Sequence, residues 1–275
     1  KEWQAEHMAE NMIQNLYLGL RPKKAKRLLT GMTMAMLLAM LLFLPILAAG
    51  ESTVPNGNSS WESSPDLDSS FIGPEEINSS DIVLDISPNA TAYINGSLNI
   101  NYESFLDQGG ALKPVSDIAG LLGDAGIASN DSLIITGECM PCGGGPAPAF
   151  FTYWLLKYLG HERVRMLQGD PDQWQAAGLN ISNSSSVKAR AAYLPRIQAD
   201  LWATYEFAAA GGAQIVGARP ARDYEIGHIP GAANIPYEDL LENSSLKSNG
   251  QLQEIFSGIS KDRAVVVYTN VGVEA

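Results

Sequence analysis

Cysteine and histidine are scarce in this chain, whose 275 residues include two cysteines and three histidines. Two thiols are too few for a framework of several disulfides or for a four-thiolate zinc site. No cluster of His, Cys and carboxylate residues has the spacing of metal ligands, and no glycine fingerprint for a dinucleotide is present. The sequence therefore predicts a protein with neither a metal nor an organic cofactor.

Basic residues are sparse after the N-terminal region. Residues 1–50 carry six basic and three acidic side chains, so the rest of the chain holds 12 basic and 27 acidic side chains, a net charge of −15. Nucleic-acid binding requires a basic surface that can contact phosphates. The acidic body of the chain therefore excludes nucleic acid as a partner.

A charge-free run follows a basic block near the N-terminus. Residues 1–27 form a polar segment that ends in Arg21–Arg27, and residues 28–50 contain no charged side chain. At about 1.5 Å per residue, this run spans a bilayer core of roughly 30 Å. The preceding basic block predicts a cytoplasmic N-terminus. We therefore expect a single-pass cell-membrane protein whose globular part lies outside the cytoplasm; the alternative is a signal peptide cleaved near Ala48–Gly50, which gives a secreted protein.

Composition divides the rest of the chain into a spacer, two globular units and a linker. Residues 51–70 are rich in Ser, Pro and Asn, which predicts a disordered spacer. Residues 71–179 and 193–275 alternate apolar strand-like runs with helical patterns, and residues 180–192 form a linker between them. This alternation predicts doubly wound parallel α/β sheets with flanking helices. Eight N-x-S/T sequons fit either a glycosylated exported surface or a polar surface without glycans.

The first unit is organised around a loop that holds both cysteines. Leu133–Thr136 is predicted to be a buried strand, and Ala149–Leu159 an amphipathic helix that ends at a glycine. Cys142 precedes this helix, where unpaired N–H groups and the helix dipole favour a thiolate. The glycines after Cys142 allow the backbone to fold tightly around an anion.

Three segments of this unit resemble the rhodanese (thiosulfate sulfurtransferase) family. Cys142-Gly-Gly-Gly145-Pro-Ala is similar to its active loop, Gly160-His161-Glu-Arg-Val164 to the following strand entry, and Gln168-Gly169-Asp170…Trp174 to its closing turn. Asp85-Ile86-Ser87 stands where the family has D-x-R.

The second unit carries the most specific match to the same family. Residues 215–237 follow its signature closely, and Ala264–Tyr268 resembles the strand that leads to the active loop. Thr269 stands where family members place the catalytic cysteine. The resemblance implies two tandem rhodanese-like units, the second without a catalytic thiol. In the family, a helix and a further strand follow the active loop, so we expect the chain to be a fragment in which the apolar face of Val265–Val267 is uncovered.

The resemblance implies a sulfurtransferase of thiosulfate or persulfide type. Cys142 would attack the outer sulfur of a small anionic donor and pass this sulfur to a thiol or to cyanide. The N–H groups of Gly143, Gly144, Gly145 and Ala147 would hold the bound sulfur, although prolines at 146 and 148 remove two donors. Cys139 would be a resolving thiol or a bystander.

Other interpretations of the cysteine loop remain open. Cys139-Met-Pro-Cys142 is also a C-x-x-C pair, which predicts a thiol–disulfide redox site or a structural disulfide in an oxidising compartment. A catalytically silent module that binds anions or partners is a further possibility. Elsewhere, His228 is predicted to be a structural turn residue, His161 a surface residue, and Arg219 the partner of a carboxylate. The aromatic residues expected in the core are Phe150, Phe151, Tyr153 and Trp154.

Overall fold

The structure is a computed structural model that describes residues 67–140, 144–242 and 245–275. Its strands are β1 (Phe71–Ile72), β2 (Asp81–Asp85), β3 (Tyr93–Ile94), β4 (Leu98–Asn99), β5 (Ser132–Thr136), β6 (Val164–Leu167), β7 (Ile181–Ser182), β8 (Gln214–Gly217), β9 (Ala233–Asn234), β10 (Leu241–Glu242), β11 (Ser245–Leu246) and β12 (Val265–Tyr268). Its α-helices are α1 (Leu67–Ser70), α2 (Val115–Asp124), α3 (Ala147–Tyr158), α4 (Pro171–Ala176), α5 (Tyr205–Ala209), α6 (Ala221–Ile226) and α7 (Asn249–Ile255). Short 3-10 helices cover Pro74–Glu76, Tyr102–Phe105, Ala199–Leu201 and Tyr237–Leu240.

The first unit contains a five-stranded parallel sheet with the strand order β1-β6-β5-β2-β4. Because side chains alternate along a strand, Leu133 and Ile135 of β5 pack on one face and Ile134 on the other. The first face is covered by α2 and α3, and the second by a smaller cluster that includes Trp174 of α4. Helices therefore flank both faces, which confirms the predicted parallel α/β architecture.

A second parallel sheet, with the order β12-β8-β9, repeats the local design of the first. In the first sheet, Ile86 N–H donates to Thr136 O (2.9 Å), Ile100 N–H to Asp85 O (3.0 Å) and Tyr102 N–H to Ile86 O (3.0 Å). In the second, Ala218 N–H donates to Tyr268 O, Ile235 N–H to Gly217 O and Tyr237 N–H to Ala218 O, each at 3.0 Å. The backbone arrangement at the carboxyl end of the central strands thus occurs twice in the chain.

Strand β12 pairs with β8 along one edge, and this is its one pairing among the described residues. Val265 and Val267 are 43% and 45% exposed, whereas Val266 between them is buried.

The connection between the two sheets is attached to the first unit by backbone hydrogen bonds. Residues 188–198, which we call the strap, cross the ends of α2 and α3. Ala191 N–H donates to Gly123 O at 2.9 Å, and Arg196 N–H donates to Leu159 O at 2.8 Å. Tyr193 of the strap is buried in the main core. The predicted linker, residues 180–192, therefore overlaps the strap, which these hydrogen bonds hold against the first unit.

His161 is buried, so its predicted surface position is wrong. Its residue exposure is 1%, and its ring stacks on Tyr193 with 5.8 Å between centroids. Nε2 lies 2.9 Å from the carbonyl oxygen of Asp131, which can only accept, and Nδ1 lies 3.2 Å from the Tyr193 hydroxyl. A neutral imidazole therefore donates from Nε2 and accepts from Tyr193 at Nδ1. The strap residue Tyr193 explains this burial, which a helix-end position in the sequence did not indicate.

We predict that protonation of His161 destabilises the fold. Burial lowers the pKa of His161, and the cations Lys157 and Arg163 add to this, while the Asp131 carbonyl opposes it. The folded pKa is thus below the unfolded value of about 6.5, so the unfolded state binds the proton more tightly. This stability is present above about pH 6.5 and is lost as the pH falls from that value toward the lower pKa of the folded state. Melting curves of the wild type and His161→Gln should converge between about pH 7.5 and 5.5; parallel pH profiles would contradict the assignment.

Arg219 and His228 both serve the turn after β8. The two terminal nitrogens of Arg219 donate to the carbonyl oxygens of Gly227 (2.8 Å) and Asp223 (2.9 Å). The predicted carboxylate partner is therefore wrong, because backbone carbonyls take these two donors. His228 stacks on Tyr224 at 3.9 Å and lies 2.9 Å from its carbonyl oxygen, as expected for a structural turn residue.

No helix in the described part of the chain is long and apolar enough to cross a membrane. The predicted span at residues 28–50, the segment 1–27 before it and nearly all of the spacer 51–70 lie outside the described residues. Of the four aromatics predicted to be core, Phe151 is buried, and Phe150, Tyr153 and Trp154 pack against the main core while partly exposed.

Candidate active site

The carboxyl ends of β2, β5 and β6 open onto a pocket with a volume of about 200 Å³. The last residues of these strands, Asp85, Thr136 and Leu167, line it. The rings of Phe71 and Phe150 meet edge to face in its wall, with 6.0 Å between centroids. In open parallel sheets, ligands bind outside the carboxyl ends of the strands. This pocket is therefore the candidate site.

The loop from β5 to α3 borders the pocket and carries both cysteines. At Gly137, φ is +117°, and an added Cβ would lie 2.6 Å from Ser87 Oγ, so the turn out of the strand requires glycine. Cys139 is 2% exposed, packs in the main core and is disulfide-bonded. Cys142, the other cysteine of the chain, lies outside the described residues, together with Gly143.

The repeated backbone pattern allows the positions of the cysteines after β5 to be compared with the loop after β12. Asp85 pairs in register with Thr136, as Gly217 does with Tyr268. Gly137 is thus the counterpart of Thr269, the position at which the resembled family has its catalytic cysteine. Cys139 comes three residues after the end of β5, whereas Thr269 directly follows β12. Both cysteines of this chain therefore lie further along the loop than the position of the catalytic cysteine in the resembled family.

Two of the backbone donors predicted to hold a sulfur atom already have acceptors within the loop. Gly144 N–H donates to Cys139 O at 2.9 Å, and Gly145 N–H donates to Glu138 Oε2 at 3.3 Å. Ala147 is buried and begins α3, and the preceding Pro146 occupies the N-cap position without a side-chain cap. The carboxylate of Glu138 therefore accepts from the Gly145 N–H group, which the sequence predicted to hold the bound sulfur.

The polar part of the pocket is acidic. Asp85, Glu138 and Asp170 line it, and none of its described lining residues is Lys, Arg or His. Asp85 is 3% exposed and accepts from Ser87 N–H at 2.8 Å. Burial raises the pKa of Asp85, and the nearby charge of Glu138 raises it further, while the bonds from Ser87 and Asn99 act in the opposite direction. Asp170 accepts from Gln173 N–H at 3.0 Å and caps α4.

Residues 203–275 match the family model of the rhodanese-like domain. The chain therefore contains a rhodanese-like domain. The matched region is the second unit, so both cysteines lie outside it.

Curated relatives and solved structures extend the similarity beyond residues 203–275. A 3-mercaptopyruvate sulfurtransferase of Escherichia coli (strain K12) is 31% identical over 144 aligned positions, and the match covers 45% of this chain. The chain spans half the length of that relative. The crystal structure of SseA from Escherichia coli superposes with a TM-score of 0.64 at 21% identity, covering 74% of this chain and 91% of the other. The wild-type structure of EanB gives a TM-score of 0.64 at 18% identity, covering 73% and 57%.

The roles of Glu138 and Asp170 were not predicted from the sequence. Both stand next to residues of the predicted motifs, since Glu138 precedes Cys139 and Asp170 follows Gly169 in the closing turn. Their convergence depends on the register of β5 and β6, whose carboxyl ends lie side by side. A carboxylate at the end of each of two neighbouring parallel strands was the signal available in the sequence.

Proposed function

We propose that this protein is a rhodanese-type sulfurtransferase that carries sulfane sulfur as a persulfide on Cys142. The supporting observation is a cysteine-bearing loop at the carboxyl edge of a parallel sheet, next to a pocket, in a chain that contains a rhodanese-like domain. The activity named for the Escherichia coli relative, transfer of sulfur from 3-mercaptopyruvate, fits the same class.

The proposed reaction has two displacement steps. The Cys142 thiolate attacks the outer sulfur of a persulfide or of thiosulfate; the S–S bond of the donor breaks, and a thiolate or sulfite leaves with its electron pair. A thiol or cyanide then attacks the outer sulfur of the persulfide on Cys142, which restores the thiolate and releases a new persulfide or thiocyanate.

Cys139 is proposed to act as a resolving thiol. In the absence of an acceptor, its thiolate attacks the inner sulfur of the persulfide on Cys142, forms the Cys139–Cys142 disulfide and expels hydrosulfide. An external dithiol then reduces this disulfide and is itself oxidised. The buried, disulfide-bonded state of Cys139 supports this role better than direct attack on a donor from solvent.

Thiocyanate formation tests the proposal. Protein that has been reduced and freed of reductant is mixed with cyanide and, in separate reactions, with thiosulfate and with several persulfides. The proposal expects turnover with at least one donor and none after alkylation of the cysteines. Failure with every donor, in protein shown to be reduced and folded, would reject the proposed activity.

Thr269 should have no part in this chemistry. A hydroxyl does not ionise near neutral pH and is a poor acceptor of sulfur. Thr269 is buried, and its Oγ1 accepts from Gly272 N–H at 2.8 Å, so its role is to close the second loop. Thr269→Ala should leave kcat unchanged per folded molecule and cost about 1 kcal/mol of stability. A tenfold fall in kcat would show that the second loop takes part in catalysis.

A thiol–disulfide redox protein is the second candidate. The observation that favours it is the disulfide bond at Cys139, in a chain whose cysteines have C-x-x-C spacing. Such a protein should reduce or oxidise a disulfide substrate, and both cysteines would be required. A reduction potential far below that of the surrounding thiol pool would instead identify a structural disulfide.

We further propose that residues 71–179 and 193–275 are tandem modules joined by residues 180–192, and that residues 28–50 anchor them outside the cytoplasm. The duplicated strand-end hydrogen bonds support the tandem arrangement, and the charge-free run after a basic block supports the anchor. Alkaline extraction of membranes and protease treatment of intact cells test the anchor. Release by alkali would favour the secreted alternative.

A further inference from the structure

We infer that Glu138 sets the charge preference of the site, which favours a cationic, amine-bearing thiol or persulfide over thiosulfate. This inference rests on the proposed function, because it concerns the donor or acceptor that the cysteine loop uses. It assigns Glu138 as a specificity-determining residue.

An internal carboxylate already binds a loop amide. Glu138 Oε2 accepts from Gly145 N–H at 3.3 Å, and the Glu138 backbone N–H donates to Ser87 Oγ at 3.0 Å, which fixes the residue at the pocket wall. Gly144 N–H donates to the carbonyl of Cys139. An anionic donor must therefore compete with Glu138 for the same N–H group and approach a negative charge.

Compensating positive charge is absent from the described residues around the pocket. The loop sequence 137–149 contains no Lys or Arg, and none of the described residues that line the pocket is basic. Asp85 and Asp170 add two further carboxyl groups to the same cavity. Like charges at short range disfavour binding most strongly at low ionic strength, because added salt screens them.

The pocket also has an aromatic wall. Phe71, Phe150 and Trp174 line the pocket next to these carboxyl groups. A small organic cation gains both from nearby carboxylates and from the faces of aromatic rings, whereas thiosulfate gains from neither. The cavity of about 200 Å³ is large enough for a small aminothiol.

The test compares two donors in two charge variants. Reduced protein is loaded with cysteamine persulfide or thiosulfate at low salt, and the ratio of the two second-order loading rates is measured. In Glu138→Gln, the amide oxygen can still accept from Gly145 N–H, while the charge is removed. Glu162→Gln is the matched control, because Glu162 is exposed, pairs with Arg196 and does not line the pocket.

We expect the wild type to load faster from cysteamine persulfide, and the ratio to fall about tenfold in Glu138→Gln, which corresponds to about 1.4 kcal/mol. Glu162→Gln should leave the ratio unchanged. The ratio is used because it cancels any change that affects loading from both donors equally. Faster loading from thiosulfate in the wild type, or an unchanged ratio in Glu138→Gln, would overturn the inference.

A binding measurement separates this inference from the proposed activity. Calorimetry on the Cys139→Ser/Cys142→Ser variant, with cysteamine or thiosulfate as the ligand, involves no sulfur transfer. Tighter binding of cysteamine, weakened by Glu138→Gln, would support the charge preference even if no donor loads the wild type. Tighter binding of thiosulfate would contradict it whether or not the enzyme turns over.

Discussion

Cys142→Ser is expected to abolish sulfur transfer to cyanide, whereas Cys139→Ser should retain a measurable rate. Cys139 is 2% exposed and packs among the residues of the main core, so its sulfur is poorly placed to meet a donor from solvent. Loss of the attacking thiolate removes the covalent step completely. Loss of a resolving thiol removes a competing reaction of the persulfide and leaves transfer to an added acceptor.

Steady-state thiocyanate formation by the two variants and the wild type, all reduced beforehand, measures this difference. Circular dichroism controls for folding, which matters most for Cys139→Ser because its side chain is buried. Equal loss in both variants would indicate a dithiol mechanism. Loss in Cys139→Ser alone would assign the nucleophile to Cys139.

Gly160→Ala should destabilise the protein much more than Gly178→Ala, although both glycines end a helix in the same way. Gly160 follows α3 with φ +78°, and Gly178 follows α4 with φ +94°. Alanine in this left-handed region costs about 1–2 kcal/mol at either position. At Gly160, the added Cβ would also overlap the carbonyl oxygen of Arg196 in the strap, whereas at Gly178 nothing lies within 4 Å.

The excess cost at Gly160 therefore measures the close contact between the strap and α3. Overpacking of this kind adds about 1–3 kcal/mol, and each kcal/mol lowers the melting temperature by about 2–4 °C in a domain of 150–250 residues. Thermal melts of the two variants should differ by several degrees. Equal melting temperatures would mean that the strap moves away from α3 at little cost.

The secondary structure of the first unit could be predicted because its apolar pattern is strong. The expected helix Ala149–Leu159 is found at Ala147–Tyr158, and the expected strand Leu133–Thr136 is found at Ser132–Thr136. Helix α3 begins two residues early because Pro148 is accepted in a first helical turn, where its missing N–H has no partner to lose.

Tertiary contacts account for the wrong predictions. His161 was expected at the surface because it follows the glycine that ends a helix, but the strap covers it with Tyr193, from a distant part of the sequence. Arg219 was expected to pair with a carboxylate, but it donates to two backbone carbonyls of a tight turn. The residue type alone indicates neither the segment that covers His161 nor the geometry of the turn around Arg219.

The sequence predicts the buried strand that leads into the cysteine loop, but not the charge of the pocket beside it. The sequence placed the cysteine loop at the carboxyl end of a buried strand, and the pocket lies there. It assigned the N–H group of Gly145 to a bound sulfur, whereas this group donates to Glu138 in the structure. The acidic character arises because three strands and turns that are far apart in sequence meet at one edge of the sheet.

The central claim, a persulfide carried on Cys142, is tested most directly by intact mass spectrometry of reduced protein after incubation with a sulfur donor, followed by mapping of the cysteine peptide. The account predicts a gain of one sulfur atom that is retained in Cys139→Ser, absent in Cys142→Ser and removed by cyanide. Loss of two hydrogens without any gain of sulfur, with every donor tested, would contradict it and identify the pair as a disulfide site.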